Sequence, residues 1–501
     1  MSLLYSLLTV PICLVFACGN SSNTNAHDNI SGTSEPVIED GKLDSGFVDH
    51  LSNLEKIPYP IDDIENLLNK FSEKYDKLNE NCRPNYESLS RDDFPESCET
   101  KTYKFSPAKL VDRSKGKRIA IMDRDMLYTG FTRYPNQIIG MMKQDPNSGI
   151  FIDYNPAYTM TVQVMEIMEM IYSYGTIPSK YLYSYHMNNF LYKYLFSLKV
   201  RHGFEFVHMN DFHGNPILVK LLELIPDAQV LLIQTPPSFG VPKDVFCKIN
   251  TRNGLSLAYE FLDNEYESLK AMFNKYQLDY VNQSYATSRP DIDSWWNQQC
   301  KTDRGALSPN MGDKFYSLLT QHNIKLSNID PGLVIFKATT GGNYQEGQGD
   351  CIKQDNFIRV NAAFSYGDEN IPLTGSSDYF SIPMGAKRNK CTDLFIALDR
   401  GNTSSLGEFA IDFNQWGLDG DAMEFAFAAD SSSYANPVAM AYYITIKDEA
   451  KKYFGKDHST REILQYATMN GKIVAPARYG LLPFCRKYEG VCRYETPFWE
   501  E

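Results

Sequence analysis

The chain has 501 residues, of which 43% are hydrophobic and 22% charged, and a formal net charge of −13. That length accommodates one large core or two to three domains. The acidic balance, with no basic run interleaved with aromatics, argues against a nucleic-acid surface.

Residues 3–17 are almost wholly apolar and end in Val15-Phe-Ala-Cys18, the length of a signal-peptide hydrophobic region and short for a membrane span. A small residue before a cysteine, with aliphatic residues upstream, resembles the lipobox of bacterial lipoproteins. The resemblance implies a signal peptide over residues 1–17, cleavage before Cys18, lipid on Cys18 and residence in the cell envelope. Plain secretion is the alternative. No later segment reaches roughly 18 consecutive apolar residues. Residues 18–50 are rich in Ser, Asn, Thr and Gly and read as a flexible tether. Without Cys13 and Cys18 the remaining cysteines are even in number, compatible with disulfides in an exported chain. Cys82/Cys98 and Cys485/Cys492 are close enough to be local pairs. No C-x-x-C pair points to a cysteine zinc site.

Residues 51–114 form an N-terminal extension or a pro-segment. Within it, residues 61–78 repeat apolar side chains at i, i+3, i+6, i+7 and i+10, which predicts an amphipathic helix. From Lys115 a basic turn feeds a short apolar run ending at Asp123, a buried strand with a carboxylate where sites form in α/β sheets. An Asp there is also a common cap or turn former. Residues 159–174 are methionine-rich and helical in pattern, and residues 204–210 predict a strand. Ile217, Leu218, Leu221, Leu222 and Ile225 share one face of a helix that His213-Gly214 opens. A His at a helix start is also an ordinary surface residue, and His208 with His213 has no metal-ligand spacing. Strands are predicted over residues 228–234, 278–286, 332–338 and 357–363, and a helix over 308–322 with Pro309 in its first turn. Residues 339–343 form a glycine turn carrying Asn343. The run Ser431-Ser-Ser-Tyr-Ala-Asn-Pro437 places Ser433 at or near a helix N-terminus, with Pro437 in the first turn and the hydroxyl in the positive field of that end. An ordinary serine N-cap reads the same way. The alternation of strands and helices predicts a mostly parallel sheet covered on both faces. There is no Walker or G-x-G-x-x-G phosphate loop.

Asp123, His213, Asn343 and Ser433 follow one another in an order that resembles the subtilases, the subtilisin-like serine proteases. Arg-Ile-Ala-Ile-Met-Asp123 resembles the family's strand ending in the catalytic Asp. His213-Gly214 resembles the start of its H-G-T-H helix, and Ala-Thr-Thr-Gly-Gly-Asn343 its A-A-G-N oxyanion turn. Ser433-Tyr-Ala435-Asn-Pro437 resembles G-T-S-M-A-x-P, with serine, alanine and proline in register. Two further stretches, Asn282-Gln-Ser284-Tyr-Ala286 and Ile358-Arg-Val-Asn-Ala-Ala363, resemble the strand that pairs with substrate and the strand after the oxyanion turn. The resemblance implies a subtilisin-like three-layer α/β/α domain over residues 115–450, with a C-terminal extension over 451–501 packed on it. It also implies an Asp-His-Ser triad, an oxyanion hole at Asn343, substrate binding at Asn282, Ser284 and Ala286, and a protein or peptide substrate. It requires no cofactor; calcium stabilises many relatives, but Asp419-Gly-Asp421 is too generic to assign.

This chain departs from the pattern at Arg124-Asp125, Asn215-Pro216 and Ser431-Ser432, and Asp125 is a second candidate acid. The spacings are long, so insertions are expected in loops at residues 145–154 and 241–301. A catalytically silent subtilase-like surface lipoprotein acting as a binding module is the main alternative. An unrelated exported α/β binding protein, whose motifs would not converge, is a third.

Overall fold

The computed structural model describes residues 97–113, 116–123, 134–155, 157–162, 225–236, 240–339, 354–365, 392–398 and 432–467, with shorter pieces around Phe47, Glu73, Leu218, Cys351, Phe380 and Phe484. They build a three-layer α/β fold. The strands are β1 (Thr100–Lys104), β2 (Arg118–Asp123), β3 (Ile138–Gln144), β4 (Phe151–Asp153), β5 (Ala157–Thr161), β6 (Gln229–Gln234), β7 (Tyr280–Gln283), β8 (Val334–Ala338), β9 (Phe357–Ser365), β10 (Phe380–Ser381), β11 (Leu394–Leu398) and β12 (Phe484–Cys485). The described helices are α1 (Lys243–Phe246), α2 (Arg252–Tyr276), α3 (Arg289–Gln299), α4 (Lys301–Arg304), α5 (Pro309–Ser327), α6 (Ser432–Phe454) and α7 (Thr460–Ala467).

The central sheet runs β12-β11-β9-β8-β7-β2-β6-β3-β4, with β10 beside β9. Its parallel strands lie in the order β3-β6-β2-β7-β8-β9-β11, and β4, β10 and β12 are antiparallel additions. This differs from both common nucleotide-binding doubly wound orders. From β2 the chain moves to one side of the sheet, and from β7 it moves to the other. The crevice outside the C-terminal ends of β2 and β7 is therefore a topological switch point, where open α/β sheets bind ligands.

Both faces of the sheet are buried, as its nearly continuous apolar strands require. In β2, Ile119 and Ile121 point into a cluster with α6, α7 and the helical segment of Ile217, Leu218, Leu221 and Leu222. Ala120 and Met122 point the other way, against Leu269, Met272 and Phe273 of α2 and Leu326 of α5. The apolar face predicted between Ile217 and Ile225 is buried throughout.

α6 is enclosed on every side from Ala435 to Ile444. A helix apolar all round belongs inside a large domain. Because α6 begins at Ser432, Pro437 lies in the second turn and not the first. There it supplies no N–H for the Ser433 carbonyl, and an interior proline of this kind typically costs about 3 kcal/mol. α6 also runs unbroken past residue 450, the boundary drawn from sequence, to Phe454.

Three further expectations change. Thr159 to Thr161 belong to β5, which pairs antiparallel with β1, so the helical pattern there gives way to a two-stranded sheet. The stretch 145–154 is a tight hairpin between β3 and β4 at the sheet edge. Residues 241–301 are no loop insertion: they hold the β6-to-β7 crossover, whose 25-residue α2 packs on the sheet, and continue through β7 into α3. Thr251 caps α2 by accepting the Gly254 N–H, and a Cβ at Gly254 would lie 1.7 Å from the Lys248 carbonyl oxygen, which explains the glycine. Cys247 and Cys300 form a disulfide across 53 residues of this region; Cys98 and Cys351 are disulfide-bonded as well. The pairings expected from sequence involve Cys82 and Cys492, which lie outside the described residues.

The described residues around Phe47 and over 105–111 are built into the body. Phe105 and Phe47 join the α6-side core. Ala108 donates its N–H to the Ile138 carbonyl at 2.9 Å. The Gln229 side chain bridges Lys109 and Val111 main-chain groups, and the Arg118 guanidinium donates to the Val111 carbonyl at 2.8 Å. Phe47 is fully buried against Tyr453, Phe454 and Tyr466.

Candidate active site

Asp123 is the last residue of β2 and is fully buried. It shares the alternation of Ile119 and Ile121, so its side chain leans into the α6 layer. Its carbonyl accepts the Thr235 N–H at 2.8 Å, which fixes it against the end of β6. On the other side, Met122 pairs with Gln283. The next residue of β7's chain, Ser284, therefore comes alongside Asp123, about one strand spacing of ~4.8 Å away. The Ser284 hydroxyl donates to Asn282 Oδ1 at 2.6 Å, and both side chains are buried. Ala286 is half-buried just beyond, in the extended segment that enters α3. Regular pairing in this stretch stops at Gln283, short of the strand predicted to residue 286.

Ser433 lies in the first turn of α6 and keeps 8% of its surface accessible. One turn further, Asn436 is fully buried, and its Nδ2 donates to the Gln283 carbonyl of β7 and the Phe336 carbonyl of β8, at 3.1 Å each. These bonds seat the N-terminal end of α6 on the C-terminal edge of the sheet. Asp123 thus ends the strand beside β7, and the turn bearing Ser433 is fastened to β7 and β8. The helix field suits the placement: the first turn of α6 carries no acid, and Lys451 and Lys452 sit in the last turn.

His213, Asn343 and Cys18 lie outside the described residues, as do Asp125 and Asp419-Gly-Asp421. Their neighbours are placed. Gly214 is buried and helical in the segment packed beside α6. Thr339, four residues before Asn343, is buried just past β8, where its N–H donates to the Val360 carbonyl at 2.8 Å. Among the described residues no group of three His, Cys, Asp or Glu side chains could hold a metal ion.

On the α2–α5 face of the sheet lies a polar cluster that sequence reading missed. Glu265 of α2 is buried, and burial pushes its carboxyl up to about 8. His322 of α5 is pushed down to about 3, first by burial and then by the Lys337 and Lys325 charges. Their 3.8 Å approach is therefore a contact of two neutral groups at neutral pH and not an ion pair. Lys337 of β8 is buried, with its ammonium 4.0 Å from the Tyr285 ring centroid. Gly240 adopts φ +82, and a Cβ there would lie 3.0 Å from Glu265 Oε2. Glu265 was readable in principle: it falls on the apolar stripe of Phe261, Leu262 and Leu269 at spacings of 3 and 4, where a charged residue is out of place.

No family model matches the sequence, and no curated protein matches it. Among solved structures, the crystal structure of a lanthipeptide protease matches with 8% sequence identity over 71% of this chain and 80% of that chain, at a TM-score of 0.30. At that score the likeness bears on neither fold nor activity.

Proposed function

We propose that the protein is a serine endopeptidase of the subtilisin-like type, acting through Asp123, His213 and Ser433. The observation that supports this reading is that Asp123 ends β2 while the N-terminal turn of α6, bearing Ser433, is tied through Asn436 to β7, the strand beside β2. The segment that Gly214 opens belongs to the same core layer. In this reading Ser433 attacks the scissile carbonyl while His213 takes its proton and later returns it to the leaving amine. Asp123, dry at the base of the crevice, holds the imidazole in the required tautomer and stabilises the imidazolium. Asn343 and the Ser433 N–H donate to the tetrahedral oxyanion; losing one such donor costs about 10²–10³ in kcat. The edge formed by Asn282, Ser284 and Ala286 receives the substrate backbone. Lipid on Cys18 anchors the enzyme in the envelope.

The test compares the chain from Gly19 onward with its Ser433→Ala variant, using a quenched fluorescent casein and a fluorophosphonate probe. Cleavage and labelling in the parent, both absent in the variant, are expected. Labelling without cleavage identifies a live triad behind a selective cleft. The departures at Arg124-Asp125, Asn215-Pro216 and Ser431-Ser432 favour a second reading, a silent binding module. Folded parent protein that neither cleaves nor labels decides for it.

A further inference from the structure

Asn436 is used by neither the triad nor the oxyanion hole. It is fully buried, yet its single amide nitrogen spans two strands, donating to the carbonyls of Gln283 and Phe336. Its Oδ1 is buried and makes no hydrogen bond among the described residues. A buried acceptor left in this way is costly, so the two donated bonds have to offset it. Few side chains can make them. Aspartate has no N–H, serine offers one proton, and leucine offers none.

The turn it holds has unusual need of an external tie. The first N–H groups of any helix lack intrahelical partners. In α6, Pro437 also withholds the donor that would close on the Ser433 carbonyl. Asn436 stands between Ser433 and Pro437 with both its protons committed to the sheet.

We propose that Asn436 is a positioning residue that clips the first turn of α6 to β7 and β8 and so fixes where the Ser433 hydroxyl stands relative to Asp123. Its catalytic consequence rests on Ser433 being the nucleophile; the clip itself does not.

The test uses the chain from Gly19 onward with Asn436→Leu, Asn436→Ser and, as a comparator, Val438→Ala, a core truncation in the same helix. Each is measured for fluorophosphonate labelling rate, kcat and KM on a peptide, thermal unfolding, and backbone hydrogen exchange across residues 433–440 and 252–276. Asn436→Leu is expected to lose roughly 10²-fold in labelling rate and kcat, the scale of a displacement near 1 Å. KM should change little, because a transition-state contact is lost and not a ground-state one. Exchange should quicken over residues 433–440 and stay unchanged over 252–276. Asn436→Ser, with one donor, should recover part of the loss, and Val438→Ala should lower thermal stability while labelling at the parent rate. Leucine variants that unfold more easily but label and turn over like the parent overturn the proposal. If Asn436→Leu does not fold, Asn436→Ser decides: labelling reduced with KM retained supports the clip, and parent-like labelling refutes it. If the parent itself does not label, the nucleophile reading falls, and exchange alone judges the clip. Local quickening keeps it, and unchanged exchange removes it.

Discussion

The two layers that flank the sheet solve opposite problems. On the α6 side the core is apolar, and the polar groups it admits, Asp123, Asn282, Ser284, Ser433 and Asn436, gather at one end, where the sheet opens. On the α2–α5 side, Glu265 and Lys337 are buried within the layer itself and His322 is half-buried beside them, and two of the three are held neutral by their surroundings. The first layer concentrates polarity where a reaction can use it. The second tolerates polarity by suppressing its charge. Substitutions in the two layers should therefore fail differently: activity before stability on one side, and pH-dependent stability without loss of chemistry on the other.

The sharpest contrast is at Asp123. Asp123→Asn keeps the shape of the strand end but cannot hold a histidine tautomer as a carboxylate does, and kcat should fall by about 10⁴. Far-ultraviolet circular dichroism should be unchanged; a variant that unfolds instead would assign Asp123 to structure. Phe47→Ala tests the same layer at its other end. Emptying a fully buried aromatic site among Tyr453, Phe454 and Tyr466 should cost about 3–5 kcal/mol in denaturant unfolding. The labelling rate of the molecules that remain folded should not change.

In the second layer Glu265 governs the response to pH. Its folded-state value of about 8 lies above the ordinary 4.5, so across that window the folded protein holds a proton the unfolded chain has released, and stability falls as pH rises. His322, at about 3 against 6.5, acts in reverse: stability rises as pH climbs through that lower window. The two oppose each other between 4.5 and 6.5, and above 6.5 only the Glu265 effect remains. The melting temperature should therefore decline from pH 6.5 towards 8, and Glu265→Gln should flatten that decline. Parallel curves for parent and variant would show that Glu265 is ionised in the fold. The smallest effect is at the entry to α3, where Ser288 and Asp291 form a reciprocal capping box. Ser288→Ala should cost about 1 kcal/mol, read from the denaturant midpoint, without moving the pH profile.

Sequence and structure agree where a single periodicity decides the outcome. The apolar runs of β2, β6, β8 and β9 were legible because both faces of the sheet are buried, and the stripe from Ile217 to Ile225 because its apolar residues recur at helical spacing. The pattern misled where pairing across the chain overrode it. Thr159 to Thr161 look helical beside the methionines that follow, but Thr100 to Thr102 offer them a strand partner. Pro437 was read as a first-turn proline because that is its least costly position; a buried helix packed on all sides sustains it one turn deeper. At the crevice, Asp123 and Ser433 carried their own signals, a polar residue ending an apolar strand and one opening an apolar helix. Asn436 carried one too, an amide inside an apolar run, but its partners are main-chain carbonyls, which have no letter in the sequence.

The Phe47 plug has a mechanical consequence. Ser433 and Tyr453 are separated by 20 residues of α6, about 30 Å of helix at 1.5 Å per residue. The Phe47 ring is therefore wedged among Tyr453, Phe454 and Tyr466 at the end of α6 remote from Ser433, where His50 adds a 2.9 Å contact to Glu449. A pull on the chain at Phe47 would bear on that aromatic wedge before it reached the turn that carries Ser433.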